Sequence, residues 1–297
     1  MWICGIVSLV FAAAEPDDGL AKKMLPIYIR EASDYSMTVG TGPMKKKLEL
    51  KKEPVFEWSD PTRDNGQITQ GVVFLWLRDG RPAAIGTIFS EPRNEWKGRT
   101  VLHEFHALDP EQLTVTRPKD AMNEWKPEAG LARKELDGTP APAATPAARL
   151  VQMRRLAQEI TCERVDDKGN RLDLRFLPTP LFRYPEAANG VIDGALFTFV
   201  SSTDPEALLL LEARETKDGT RWEFACGRFS DRSLYMKRKD KEVWSCVRNE
   251  ENTILHDAKH LYRVYPDKIV TLEGKLIARL KATEKQWWGE FYKADEK

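Results

Sequence analysis

No charge of either sign is in excess in this 297-residue chain, where 46 lysines and arginines face 46 aspartates and glutamates. No global field therefore draws it to phosphate backbones or anionic lipid, and nucleic acid is not an expected partner. The short basic runs Lys45-Lys46-Lys47 and Lys237-Arg238-Lys239 read as solvated strand ends. Long apolar runs are missing too. The longest, MWICGIVSLVFAAA over residues 1–14, is shorter than the roughly twenty residues a bilayer helix needs, so no membrane span is expected. There is no G-x-S-x-G elbow, no Walker A loop and no G-x-G-x-x-G fingerprint, which leaves serine-hydrolase and nucleotide chemistry without support. Cysteine and histidine are scarce, with four of each.

Apolar material is not scarce. Hydrophobic residues make up 41% of the chain, with nine Trp and twelve Phe, enough to exclude the disordered class. The length suits two cores, since domains commonly run to roughly 100–150 residues. The opening stretch ends in Ala12-Ala13-Ala14 before Glu15, a small-residue pattern like a signal-peptidase site, and predicts an exported protein, periplasmic or extracellular. Cys162, Cys226 and Cys246 remain beyond it. An oxidising compartment permits a Cys226–Cys246 bridge, and three buried thiols are the alternative.

Landmarks recur in order along the two halves. Glu31 is matched by Glu159, Leu48-Glu49-Leu50 by Leu172-Asp173-Leu174, Pro54-Val55-Phe56 by Pro180-Leu181-Phe182, Gly71-Val72-Val73-Phe74 by Gly194-Ala195-Leu196-Phe197, Glu104-Phe105 by Glu223-Phe224, and Trp125 by Trp244. An ordered series with a slowly drifting offset predicts a duplicated module. The expected fold class is α+β: two tandem repeats of a helix followed by an antiparallel β-meander, plus a C-terminal strand and helix extension. The modules are assigned to residues 15–126 and 147–254, joined by a Pro/Ala-rich linker over 127–146 with no capacity to form a core, and residues 255–297 are expected to pack on a module.

Within the second module Thr145 can cap a helix that starts at Pro146 and repeats Leu150, Met153, Leu156, Ala157 and Ile160 on one face. In the first, Pro26 is expected to end or kink the helix that begins at Leu20. Strands are expected over 47–52, 67–77, 83–90, 100–107 and 112–117, then 171–177, 191–201, 206–213, 221–228, 233–238 and 241–247. Turns are read at Asn65-Gly66 and Asp79-Gly80. Beyond residue 255 come a strand-like stretch from Leu261 to Leu272 and a charged, helical end carrying Trp287-Trp288.

The histidines form two pairs, His103 with His106 and His256 with His260. The segment HEFH resembles a truncated metalloprotease motif, but that mechanism needs histidines four apart on a helix. On a strand, residues an odd number apart face opposite ways, so His103 is expected to face a core beside Phe105 while Glu104 and His106 share the other side. Glu104, His106, His256 and His260 are the metal-ligating candidates, and zinc is the ion they would suit. No other cofactor is indicated. Asp166-Asp167 and Glu250-Glu251 read as solvent-facing turn acids, and the recurring tryptophans as core anchors.

From Arg149 to Trp244 the segments RLVQMRRLAQE, LPTPLFRY, GALFTFVSSTDPEALLLLEAR and EVWS, with VVFLWLRDGRPAAIG and LHEFHAL in the first half, resemble a group of exported planctomycete proteins with no assigned activity. The resemblance implies a bacterial, exported setting and carries no residue roles. The expected function is a non-catalytic binding or interaction protein for an extracytoplasmic ligand or protein. The alternatives are a metal-assisted hydrolase using Glu104, His106 and a C-terminal histidine, and a carbohydrate-binding module. Polar residues of both halves meeting in one pocket would mark a site.

Overall fold

A computed structural model of the chain describes residues 18–61, 68–117, 124–185, 190–248, 260–280 and 291–293. Helix α1 (Asp18–Ser33) is followed by β1 (Ser36–Val39), β2 (Lys46–Lys47), β3 (Glu49–Leu50), β4 (Phe56–Asp60), β5 (Thr69–Arg78), β6 (Arg81–Arg93), β7 (Gly98–Ala107), β8 (Leu113–Thr116) and β9 (Lys134–Glu135). Helix α2 (Pro146–Gln158) precedes β10 (Ile160–Val165), β11 (Arg171–Phe176), β12 (Phe182–Arg183), β13 (Val191–Ser201), β14 (Asp204–Thr216), β15 (Gly219–Arg228), β16 (Leu234–Arg238) and β17 (Lys241–Cys246). Last come β18 (Tyr262–Val270), β19 (Leu276–Leu280) and β20 (Phe291–Lys293).

The α+β expectation is corrected. Strand accounts for 53% of the described residues and helix for 15%, so this is a mainly β protein of large, curled antiparallel sheets. Nor do the halves form two helix-plus-meander repeats. Strands β1, β2 and β8 make a separate three-stranded sheet, and the first large sheet runs β20-β19-β18-β7-β6-β5-β3 with β4 on β5. The second runs β17-β16-β10-β11-β13-β14-β15-β9 with β12 on β13. Matching landmarks locate strands, but they do not say which strand pairs with which. The C-terminal segment enters the first sheet by hydrogen bonding, with β18 antiparallel to β7 from Tyr262 opposite His106 to Val270 opposite Arg99.

The stretch read as a core-free linker also does more than span. Leu131 and Leu136 are buried, β9 pairs with β15, and the Arg133 guanidinium donates to the carbonyls of Leu108 and Leu131.

Three apolar clusters stack the molecule in four layers. Met24, Ile27 and Tyr28 of α1 pack on Val72, Phe74, Trp76 and Phe105 of the first sheet. Met153, Leu156 and Ala157 of α2 pack on Phe197, Leu209, Leu211 and Trp222 of the second. Between the sheets Val73, Leu75, Ile85 and Leu102 meet Leu196, Leu208, Leu210 and Phe229. Strands β5 and β14 are therefore buried on both faces, which is why Val72-Val73-Phe74-Leu75 and Leu208-Leu209-Leu210-Leu211 show no polar alternation.

Pro26 lies inside α1 and does not end it. Burying Met24 and Ile27, at about 1.5–3 kcal/mol each, offsets the roughly 3 kcal/mol cost of an interior proline. In α2 the Thr145 hydroxyl accepts from the Ala148 amide and Pro146 takes the first helical position. The β5–β6 hairpin turns at Asp79 and Gly80, with φ of +50° and +79°, the left-handed pair a two-residue hairpin requires. Asn65-Gly66 and Trp287-Trp288 lie outside the described residues. No helix of the described residues is long and apolar enough to cross a membrane.

Candidate functional site

Strand β7 distributes its side chains by period two. Leu102, Glu104 and His106 turn toward the second sheet, while His103 and Phe105 turn toward α1. The metal candidates do not gather in one place. Glu104 lines one inter-sheet cavity, whereas His106 and His260 line its neighbour. Tyr262 lines both, and its hydroxyl donates to the Glu104 carboxylate. The proposed set of Glu104, His106 and a C-terminal histidine is thus split by the Tyr262 side chain, and His256 lies outside the described residues.

His103 belongs to a different assembly. Glu31, His103 and Asp267 bring ligand atoms within 4.8 Å of one another, the one such trio among the described residues. Two cations already fill it. Arg117 pairs with Glu31 and, at 2.9 Å, with Asp267, while Lys268 Nζ reaches Glu31 at 2.8 Å and Asp267 at 3.2 Å. Two carboxylates and two cations leave no charge for a metal to neutralise. Burial pushes the His103 imidazole down to about 3 against the opposing pull of Asp267, and its Nδ1 is bonded to the Tyr35 hydroxyl. The cluster fastens α1 to β7 and β18.

The cavity that Glu104 lines is lined from both sheets. It measures about 200 Å³, and its walls include Trp58, Phe89, Phe229 and Tyr262 with five carboxylates, those of Glu91, Glu104, Asp204, Glu206 and Asp231, against the single guanidinium of Arg232. Strand β6 supplies Glu91, β7 supplies Glu104, β14 supplies Asp204 and Glu206, and the turn after β15 supplies Asp231 and Arg232. The indole of Trp58 is fixed by donation to Thr87 Oγ1 at 3.0 Å and stands 5.6 Å from the Phe89 ring. Behind the wall, Arg164 holds Glu206 at 2.8 Å.

No family model, curated protein or solved structure matches this chain. Its chemistry is therefore read from geometry. Four of the five acids were not singled out from the sequence, although a signal exists. Asp204 and Glu206 precede an apolar run, Ala207 to Leu211, in the buried strand β14, and a charge there must either find partners or line a space. By contrast, Asp166 caps its own turn through the amides of Lys168 and Asn170, and Asp167 is exposed and paired with Arg232.

What such a space can do follows from its charge. Carboxylates held on rigid strands between low-dielectric walls concentrate negative potential. Aromatic faces beside them attract the same sign of ligand, since a cation over a ring gains roughly 0.5–2 kcal/mol.

Proposed function

We propose that the protein is a non-catalytic, extracytoplasmic binding protein that holds a small organic cation in the cleft between its two sheets. One observation carries the reading: acids of both sheets, with an aromatic wall, converge on a single cavity in which carboxylates outnumber guanidinium groups five to one. At about 200 Å³ the space lies below the roughly 300–1,000 Å³ of drug-sized pockets. A ligand of a few heavy atoms suits it, such as a primary amine, a short diamine or a guanidinium ion. The exported setting comes from the N-terminal pattern and the planctomycete resemblance. The hydrolase alternative loses support because its ligands occupy two cavities.

Trp58 in the wall makes the test direct. Titrating the full chain with butane-1,4-diamine and with guanidinium ion should change tryptophan fluorescence saturably, while butanedioate and glucose should not. Glu104→Gln and the rim variants Glu91→Gln and Asp231→Asn should each weaken diamine binding by about tenfold, the value of one charge-assisted hydrogen bond. Binding of glucose without binding of amines, or amine binding indifferent to all three variants, would sink the proposal.

A further inference from the structure

Arg232 is the one basic residue among the described residues that line the cleft, and its guanidinium belongs to the same chemical class as the ligand proposed for that cleft. Its backbone is fixed. The Phe229 amide donates to the Glu206 carbonyl of β14 at 2.8 Å, and the Val165 amide of β10 donates to the Ser233 carbonyl at 2.9 Å, so the turn from Phe229 to Ser233 is tied at both ends to strands of the second sheet. Inside the turn Arg228 donates to the carbonyls of Ser230 and Arg232 while its guanidinium lies over the Tyr262 ring. With the backbone held, the side-chain torsions of Arg232 decide where its charge sits.

That charge is drawn to the rim. Both Nη atoms of Arg232 donate to the Asp167 carboxylate, Nη2 at 2.9 Å, in the two-pronged geometry that suits a guanidinium and a carboxylate. Asp167 stands on the turn between β10 and β11, with 72% of its side chain exposed against 23% for Arg232. The turn does not depend on Asp167 for its shape, because the Asp166 carboxylate accepts from the amides of Lys168 and Asn170 and Gly169 takes a left-handed φ of +83°. The same strand β10 sends Arg164 to Glu206, an acid of the cleft, at 2.8 Å. Arg248 approaches Asp167 at 3.6 Å and Asp231 at 3.5 Å, and it is not among the residues that line the cleft.

Two carboxylates therefore share one guanidinium. Asp167 takes its Nη atoms outside the cleft, and Asp231, on the cleft wall, lies 3.4 Å from its Nε. A positive charge fixed on the wall repels a bound cation, and the repulsion doubles when the ligand carries two charges. The pair with Asp167 is exposed and contributes little to the fold, so removing that carboxylate changes where the Arg232 charge sits and leaves the sandwich standing.

Resting on the reading of the cleft as a cation site, we propose that Arg232 determines its specificity: Asp167 holds the guanidinium at the rim, where it disfavours doubly charged ligands relative to singly charged ones, and without Asp167 the guanidinium turns inward and competes for the cleft acids. Binding of butane-1,4-diamine and of butan-1-amine to the full chain is followed by tryptophan fluorescence, with reductant present because Cys162, Cys226 and Cys246 are free thiols and no Cys226–Cys246 bridge is formed. Arg232→Ala should tighten the diamine by about tenfold and the monoamine by about threefold. Arg248→Ala removes an equal charge from the same two carboxylates but outside the cleft, and should change the ratio of the two affinities by less than about twofold. Asp167→Asn should weaken both amines by about threefold, the limit set by an exposed pair, and should have no effect in the Arg232→Ala background. A second readout needs no ligand. The Trp58 contribution to emission, taken as the difference from a Trp58→Phe chain, should shift in Asp167→Asn and return in the double variant. If neither the unaltered chain nor Arg232→Ala responds to amines, the cation reading of the cleft falls, and the Trp58 comparison still decides whether Asp167 holds Arg232 out of it. Weaker diamine binding in Arg232→Ala, an equal change for both amines, an Asp167→Asn chain unaltered in both affinity and Trp58 emission, or an Asp167→Asn effect that persists without Arg232 would overturn the assignment.

Discussion

Glu212 carries its charge between Leu211 and Ala213, where no water reaches it. Burial by itself would raise its pKa, yet Arg133 and Arg81 outweigh that and hold the carboxyl down at about 2. Arg81 forks onto it at 2.7 and 2.8 Å from the opposite sheet, and Tyr184 adds a hydroxyl at 3.0 Å. Glu212→Gln leaves two buried guanidinium groups facing an amide, and urea unfolding should show a loss of about 3–5 kcal/mol; a loss under about 1 kcal/mol would mean the network contributes nothing to the sandwich. The same residue makes stability depend on pH. A carboxyl held at about 2 in the fold, against an ordinary 4.5, contributes stability that is present above 4.5 and is lost as pH falls from there toward 2, because the unfolded chain takes the proton first. His103 acts in the same direction, since its folded value of about 3 lies below the ordinary 6.5, and its contribution is lost as pH falls from 6.5 toward 3. Denaturation midpoints should therefore decline steadily between pH 7 and pH 4, and His103→Gln should flatten the upper part of that decline, from 6.5 to 4.5. A midpoint constant from pH 6.5 to 4.5 in the unaltered chain would contradict the His103 assignment, and one constant from pH 4.5 to 3 would contradict that of Glu212.

Elements were legible where hydrophobic period and turn chemistry act locally. The stretch expected at 191–201 is β13 (Val191–Ser201), and Asp79-Gly80 makes the tight hairpin, because alternation and positive φ are properties of a few neighbouring residues. Partnering was not legible. Trp125, matched in sequence with Trp244, is wholly buried and donates its indole hydrogen to the His260 carbonyl, whereas Trp244 is half-buried on the wall of the second cavity. Helix α1 continues past Pro26 for a tertiary reason no window of sequence contains. The candidate site followed the same rule. The period of β7 separates His103 from His106, but only the pairing of sheets brings Glu104 beside Asp204 and Glu206. Close packing between elements gives a further prediction. A Cβ on Gly194 would fall 2.2 Å from the Tyr184 ring, so Gly194→Ala must push that ring off Glu212. A loss of about 1–3 kcal/mol is expected in thermal or urea unfolding, and a neutral result would show that β13 and the ring can part without disturbing the Arg81 pair.

At the scale of the molecule, the first sheet is finished by the end of the chain. Strand β18 pairs with β7 from Arg99 to His106, and it brings Asp267 and Lys268 to Glu31 and Arg117. It also brings Tyr265 to Tyr35 and Tyr262 to Glu104. Without it β7 would be a ten-residue unpaired edge, an arrangement that invites pairing with other chains, and Arg117, which holds Glu31 of α1, would lose its second carboxylate, Asp267. The cleft would also lose a wall, since Tyr262 and Val264 both line it. A chain shortened to residues 1–254 keeps the whole of both sequence halves, so a repeat of self-contained modules would leave it folded. Four layers closed by β18 predict the opposite. The shortened chain should associate at micromolar concentration, lose hydrogen-exchange protection across β5, β6 and β7 while β13 and β14 keep theirs, and no longer respond to butane-1,4-diamine. Protection of β7 equal to that in the full chain would show that the first sheet closes without its last strands, and the assignment of the cleft to both sheets and the C-terminal segment together would fall with it.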